Sequence, residues 1–139
     1  DLRLRAAKNP DGYLVALENE RVVGASFAIR TKGRPTKRVL ERAMNNGTIA
    51  ALHRPDGNQY YLHSVFVGEA HRGRKIGVHL THAQLERAKQ QGFLEACFIA
   101  DDSAQNRSAY HKEHTGATPT ENRIRLNGTP FRWWVRPID

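Results

Sequence analysis

The segment "VFVGEAHRGRKIGVHL", Val65 to Leu80, decides how this chain is built. It begins as an apolar β-branched run, continues as a basic loop with glycines, and ends as the first turns of a helix. A helix start has unpaired N–H groups and a partial positive charge. Glycines let the backbone approach an anion closely, and Arg72, Arg74 and Lys75 add charge around it. The segment therefore predicts a phosphate-binding loop, with a basic solvated turn as the alternative.

Length and composition indicate one globular domain, residues 1–139, with 39% hydrophobic and 26% charged residues. The net charge of +8 (22 Lys+Arg minus 14 Asp+Glu) favours anionic partners such as nucleotide phosphates, RNA or acidic protein surfaces. No apolar run approaches membrane-spanning length, so no membrane partner is expected. Because the lone Cys97 cannot form an internal disulfide and no secretory segment is visible, the sequence predicts a cytoplasmic protein.

Runs of β-branched and aromatic residues predict a mixed, mostly antiparallel sheet with flanking helices, an α+β class. Turn residues join most of these runs into hairpins, with Asn127-Gly128 as the clearest turn. The predicted strands cover 13–18, 21–30, 48–54, 59–67, 93–100 and two segments of the tail 118–138. Three helices are predicted: Thr36 to Asn45, Ile76 to Gln91, and Ala104 to His114.

This order of elements resembles the GCN5-related N-acetyltransferase (GNAT) superfamily. In that family a strand ending in valine runs into Arg/Gln-x-x-Gly-x-Gly/Ala, which wraps the pyrophosphate of acetyl-CoA. Here Val67 to Arg72 keeps the family's spacing, and 72–77 fills the motif with Lys75 at the first glycine position. The resemblance covers residues 13–136 and implies a GNAT-like acyl-CoA acyltransferase fold. The family's first strand and helices are expected before Asp1, in missing residues, or in reduced form.

The resemblance also implies which residues bind the co-substrate, acetyl-CoA. A strand N–H, from Phe66 or Val67, is expected to polarise the thioester carbonyl. The family's leaving-group acid is a tyrosine on the helix after the fifth strand, which implies Tyr110, with Asn106 nearby; counting seven residues from Asn106 instead reaches Glu113. A tyrosine that only packs its helix on the sheet is the alternative. The pyrophosphate ligands implied are Arg72, Gly73, Arg74, Lys75, Ile76 and Gly77.

His63 is the predicted general base, because it lies on the strand leading to Val67 and its reference pKa suits neutral pH. A structural histidine is the alternative, and Glu69 or ordered water can take the role instead. Two histidine pairs have the i,i+3 spacing of a helical metal site, 79/82 and 111/114. No further ligand completes either pair, so no metal is predicted.

Two adjacent tryptophans, Trp133 and Trp134, must face opposite sides of their strand. We expect one in the core and the other at the surface, with a position lining a pocket or an interface as the alternative. Cys97 alternates within an apolar strand and is expected in the core.

Together these features predict an acetyl-CoA-dependent N-acetyltransferase that acts on an amine acceptor, whether small molecule, peptide or protein. A non-catalytic acyl-CoA-binding module that regulates a partner is one alternative. An RNA-directed function, either binding or acetylation of an aminoacyl-tRNA, is another, motivated by the basic segment 30–38 and the tryptophan pair. The sequence leaves the acceptor and a homodimer open.

Overall fold

Seven strands form one sheet in the order β1-β2-β3-β4-β5-β7-β6. The structure is a computed structural model that describes residues 2–6, 12–47, 49–101 and 114–138. All neighbouring strands are antiparallel except β4 and β5, which are parallel. This arrangement confirms the α+β class. The elements are β1 Leu2–Ala6, β2 Tyr13–Glu18, β3 Arg21–Thr31, α1 Lys37–Asn46, β4 Gln59–Val67, α2 Ile76–Gln90, β5 Glu95–Asp101, β6 Thr118–Leu126 and β7 Thr129–Pro137.

The two tight hairpins predicted from turn residues are present. Asn19 and Glu20 join β2 to β3, and their φ angles of 52° and 64° are those of a two-residue turn that follows the strand twist. Asn127 and Gly128 join β6 to β7 with φ angles of 50° and 85°. Local backbone chemistry alone therefore sets both connections.

The predicted hairpin between 48–54 and 59–67 is wrong. Residues Ile49–Leu52 form a 3-10 helix, and β4 pairs with β3 instead. The reason is side-chain spacing: Ile49 and Leu52, three residues apart, both pack against the core cluster on the α1 side of the sheet. Strand β4 therefore pairs with β3 on one side and with β5 on the other.

A strand at the N-terminus was not predicted. The five residues of β1 pair antiparallel with β2. Their alternating Leu-Arg pattern has the period of a strand, which is the signal that the sequence offered. β1 thus adds one more strand to the sheet, next to β2.

The sheet separates two layers of core. Ile29, Leu40, Tyr61 and Trp133 belong to the cluster on the α1 side. A second cluster, on the α2 side, contains Trp134 with Tyr60, Leu62 and Phe98, and Leu14 and Leu80 lie in a third.

Both tryptophans are buried, so the expectation that one of them lies at the surface, or lines a pocket or an interface, is wrong. Their strand, β7, lies inside the sheet and is covered on both faces. Cys97 is buried as expected, in the α1-side cluster.

The helices begin and end where capping residues were predicted. The Thr36 side chain accepts a hydrogen bond from the Val39 N–H at the start of α1, and Gly47, with φ 63°, ends it. Helix α2 ends before Gly92, whose φ is 83°. The predicted helix from Ala104 to His114 falls almost wholly outside the described residues. No helix in the described ranges is both long and apolar enough to cross a bilayer.

Helix α2 buries one residue per turn, Ile76, Leu80, Gln84 and Ala88. Gln84 is the polar member: it accepts a hydrogen bond from the Tyr60 hydroxyl at 2.7 Å and donates to Ser26 Oγ at 2.9 Å. A satisfied buried amide fixes the helix in one register on the sheet. The start of α2 is thereby held at one place beside the end of β4.

Strands β4 and β5 separate after a short paired stretch. The paired residues are Tyr60 with Ala96 and Tyr61 with Cys97. On the other edge of β4 the pairing with β3 skips one residue, because Phe27 faces Ser64 and Ala28 faces Leu62. His63 is thus the extra residue of a β-bulge, which bends a strand and re-aims its side chains.

Candidate active site

The loop between β4 and α2 is anchored by backbone hydrogen bonds and then turns through left-handed conformations. The Gly68 N–H donates to the Val23 carbonyl at 2.8 Å, and a 3-10 turn follows at Glu69–His71. Gly73 has φ 81° and Lys75 has φ 61°. Lys75 therefore adopts the conformation that the family's glycine would supply, at the energetic cost that a Cβ imposes there.

The start of α2 is open. Lys75 is the N-cap residue and its side chain makes no capping hydrogen bond, and no acidic residue lies in the first turn. The first helical hydrogen bond is donated by the His79 N–H to the Lys75 carbonyl at 3.0 Å. The N–H groups of Ile76, Gly77 and Val78 are consequently not used by the helix, and the helix dipole makes this end positive. This is the geometry of an anion site.

A cavity of about 360 Å³ lies at this helix start. Gly77 leaves room in it: a Cβ there would lie 3.6 Å from Val67 Cγ2 and 3.7 Å from Val65 Cγ1, ordinary contact distances. Packing therefore does not require a glycine at 77. Six of the residues expected to hold the co-substrate line the cavity, Val67, Arg72, Gly73, Lys75, Ile76 and Gly77.

Arg74 is placed differently from the other loop residues. Its guanidinium makes two hydrogen bonds to the Glu18 carboxylate, the one to Oε1 at 3.1 Å. The hydrogen bond from Arg74 holds the pKa of Glu18 below its usual value. Arg74 thus ties the loop to the β2–β3 hairpin. Glu18 lies 56 residues away in the sequence, and no local pattern marks it as part of the site.

Two further cavities meet where β4 and β5 separate. The smaller, about 160 Å³, is lined by Leu62, Phe98 and Thr81 on the α2 side. The larger, about 670 Å³, is lined by Tyr61 and Phe131 from the α1-side core. His63, Ser64 and Ile99 line both cavities and form the wall between them.

His63 is held among aromatic rings. Its imidazole stacks on Phe27 at a centroid distance of 5.9 Å and an interplanar angle of 16°, and it meets Tyr61 edge-on at 6.1 Å. Nδ1 lies 3.0 Å from Ser64 Oγ, and Nε2 is buried without a hydrogen-bond partner among the described residues. Burial lowers the pKa of His63 to about 4. The pKa therefore lies below the reference value on which the prediction of a general base relied, because burial disfavours the imidazolium.

Other predicted site residues are distributed as follows. The Phe66 side chain lines the larger cavity. Asn106 and Tyr110 lie outside the described residues. His82 Nε2 lies 2.5 Å from the His114 carbonyl. Over the ranges that the structure describes, no three His, Cys, Asp or Glu residues are grouped so as to hold a metal.

Lys75→Gly tests the cost of the left-handed lysine. Since glycine adopts a positive φ without a steric penalty, the variant is expected to raise the free energy of unfolding by about 0.5–1 kcal/mol. Lys75→Ala is the matched control, because it removes the charge and keeps the Cβ. Urea denaturation of all three proteins makes the comparison; equal shifts in both variants would show that φ is not the cause.

His63 makes stability depend on pH. Its folded pKa of about 4 lies below the ordinary value of 6.5, so the unfolded chain binds the proton more tightly. The contribution to stability is complete above the unfolded pKa and is lost as the pH falls towards the folded one. Between about pH 7 and about pH 5 we expect a loss of about 2 kcal/mol from this residue.

Urea unfolding of the protein and of His63→Gln at both pH values measures this loss. His63→Gln should remove the His63 part of the pH dependence. His79→Gln, an exposed histidine on α2, is the control and should leave it unchanged. Parallel pH profiles for the protein and His63→Gln would contradict the buried neutral imidazole.

Comparison with known proteins shows which family and which solved structures this chain is similar to. The acetyltransferase (GNAT) family model matches residues 1–115. No curated protein matches the chain. The loading GNATL domain of CurA from Lyngbya majuscula superposes with a TM-score of 0.69 at 16% identity, covering 94% of this chain and 78% of that one.

Two more solved structures share the fold. The GNAT-like decarboxylase GphF, in complex with isobutyryl-CoA, has a TM-score of 0.66 at 20% identity and covers 97% of this chain and 82% of its own. The putative acetyltransferase YncA from Salmonella typhimurium, with acetyl-CoA, has a TM-score of 0.61 at 17% identity, covering 91% and 64%. At these identities the likeness concerns the fold. With a family match over residues 1–115, the chain belongs to the acetyltransferase (GNAT) family.

Proposed function

We propose that the protein transfers an acetyl group from acetyl-CoA to an amine acceptor. The observation that carries the proposal is the pair of cavities beside the opening between β4 and β5, one at the start of α2 and one at the wall formed by His63. Both are lined by the end of β4 and the first turns of α2, and an extended ligand with an anionic end and a reactive end suits such a pair. The single buried cysteine suits a reducing compartment, and we assign the protein to the cytoplasm.

The start of α2 is suited to the diphosphate of the co-substrate. Unused N–H groups, an uncapped helix end and the absence of first-turn acids all favour an anion there. Arg72 Nε donates to the Val67 carbonyl at 3.3 Å, which holds the exposed guanidinium near the cavity rim. Arg74 contributes indirectly, by fixing the loop through Glu18.

The carbonyl of the thioester needs a hydrogen-bond donor as negative charge develops on its oxygen. Residues 62–67 of β4 are not paired with residues of β5. Since successive N–H groups of a strand point to opposite edges, one of Phe66 and Val67 directs its N–H to this open edge. We assign the polarising role to that N–H group.

Acyl transfer also moves two protons. Acetyl-CoA supplies the acyl group as a thioester; the amine nitrogen forms the new C–N bond while the C–S bond breaks. Tyr110 donates its phenolic proton to the departing thiolate, with Asn106 on the same segment helping to hold the ligand. His63 is neutral and a weak base. We therefore assign it a transient role, in which it accepts the amine proton and passes it on to water.

A non-catalytic acyl-CoA-binding module is the second candidate. The low pKa of His63 and the burial of its Nε2 favour it, because both weaken the case for a general base. A nucleic-acid function is favoured less by the structure than by the sequence. Trp133 and Trp134 are buried, Lys32 is paired with Asp56 at 2.8 Å, and Arg30 donates to Gln91 at 2.7 Å.

Gly77→Asp tests the diphosphate site. An acidic residue in the first turn of a helix stabilises the helix, and the packing around position 77 admits a Cβ. Its carboxylate would repel the diphosphate, so CoA should bind at least about tenfold more weakly than to Gly77→Asn, a neutral side chain of the same size. Calorimetry with CoA and with pantetheine, which lacks the diphosphate, makes the measurement.

Pantetheine should not distinguish the Asp and Asn variants, because it has no charge for the carboxylate to repel. Two results would contradict the proposed site. One is equal affinity of both variants for CoA, and the other is no binding of CoA to the unmodified protein at micromolar concentration.

Tyr110→Phe separates an enzyme from a binding module. If the phenol protonates the thiolate, the turnover number should fall by a factor on the order of 100 or more while the Kd for CoA stays within about twofold. Thiol release from acetyl-CoA in the presence of a mixture of amines gives the rate, and calorimetry gives the Kd. A chain that binds CoA and yet releases no thiol with any amine would be the binding module.

A further inference from the structure

The larger cavity, on the α1 side of the wall, is built from aromatic side chains. Tyr13 and Phe27 meet edge-to-face at 4.8 Å, and Phe27 meets Phe66 at 5.9 Å. Phe131 closes the side towards the core, and Met44 reaches the cavity from α1. A site with this lining attracts an apolar, ring-bearing group.

Two of these side chains leave apolar surface in water. Phe66 is 60% exposed and Met44 is 39% exposed. Large apolar groups left open around one cavity mark a binding surface, since covering them with a ligand removes apolar area from water.

The polar character of the cavity is equally specific. Among the described residues that line it, none carries a formal charge; the polar side chains are Tyr13, Tyr61, His63 and Ser64. The described lining therefore has no carboxylate to hold an ammonium group and no cation to hold a carboxylate. A neutral amine is the form that it accommodates.

The position of the cavity determines which end of the ligand reacts. His63 and Ser64 belong to both cavities, so a group that touches them from the α1 side lies next to the acyl end of a ligand on the α2 side. Ser64 Oγ, which lies 3.0 Å from His63 Nδ1, is the polar atom of this wall that can accept a hydrogen bond from an amine.

We propose that the larger cavity is the acceptor site and that the acceptor is an arylalkylamine, an aromatic ring joined by a short chain to a primary amine, without a carboxylate. The proposal rests on the proposed acetyltransferase function. The ring packs against Phe27 and Phe66, and the amine points to Ser64 and His63.

A panel of amines tests the acceptor class. With acetyl-CoA, kcat/KM should be at least about 100-fold higher for 2-phenylethylamine than for phenylalanine, which adds a carboxylate, or for spermidine, which adds ammonium groups. A short peptide with a free N-terminus is the fourth substrate. Preference for phenylalanine, spermidine or the peptide overturns the arylalkylamine proposal and leaves the acetyltransferase function standing. Failure of both CoA binding and turnover with all four overturns the function itself.

A charge placed in the cavity should reverse the discrimination. Met44→Arg adds a cation at the rim, on an exposed helix position that tolerates arginine. The ratio of kcat/KM for phenylalanine to that for 2-phenylethylamine should rise at least about tenfold relative to Met44→Gln, because the guanidinium can pair with the carboxylate. The Kd for CoA should be the same in both variants. An unchanged ratio with intact CoA binding places the acceptor elsewhere.

Phe66→Ala tests the contribution of one aromatic ring of the cavity to acceptor binding. Removing the exposed ring should raise KM for 2-phenylethylamine about tenfold. Val22→Ala removes an equally exposed apolar side chain outside the cavity and is the control. Equal KM values for the two variants would overturn the assignment of the cavity.

Discussion

The early end of the pairing between β4 and β5 is the constraint on which the site depends. Two registered pairs, Tyr60 with Ala96 and Tyr61 with Cys97, hold the strands together, and beyond them the strands diverge. Backbone groups on that edge of β4 must then find partners outside the sheet, because buried N–H and C=O groups are rarely left unpaired. The same divergence joins the two faces of the sheet, so that cavities on either side share the wall at His63.

Several features around this opening lower the stability of the free protein. Lys75 has a positive φ, His63 is a bulge residue with a buried ring nitrogen, and Phe66 is largely exposed. In the core beneath α2 the polar groups are satisfied, because Gln84 bonds Tyr60 and Ser26. Three unfavourable local features that meet around one opening are typical of a functional site.

Those parts of the fold that depend on short-range chemistry could be predicted from the sequence. The turn at Asn127-Gly128 and the caps at Thr36 and Gly47 are examples, because each is decided by the backbone preference of one or two residues. The conformation of segment 48–54 could not be predicted, since its apolar residues suit either a strand or a 3-10 turn. Only the packing against distant core residues decides between the two. The ion pair of Glu18 with Arg74 could not be predicted for the same reason. The two residues are far apart in the sequence and meet only because the β2–β3 hairpin lies over the loop.

The pKa of His63 shows why the chemistry of a site is harder to predict than its location. Its position on β4 brings His63 to the junction of the two cavities. Its basicity, however, depends on how many rings surround it, and Phe27 comes from another strand. A buried imidazole flanked by aromatic rings binds a proton weakly. It therefore stays neutral and acts as part of the apolar lining of the cavity. The same aromatic environment that weakens His63 as a base lines the α1-side cavity from which we infer an uncharged, ring-bearing acceptor, so both features follow from the packing around one bulge.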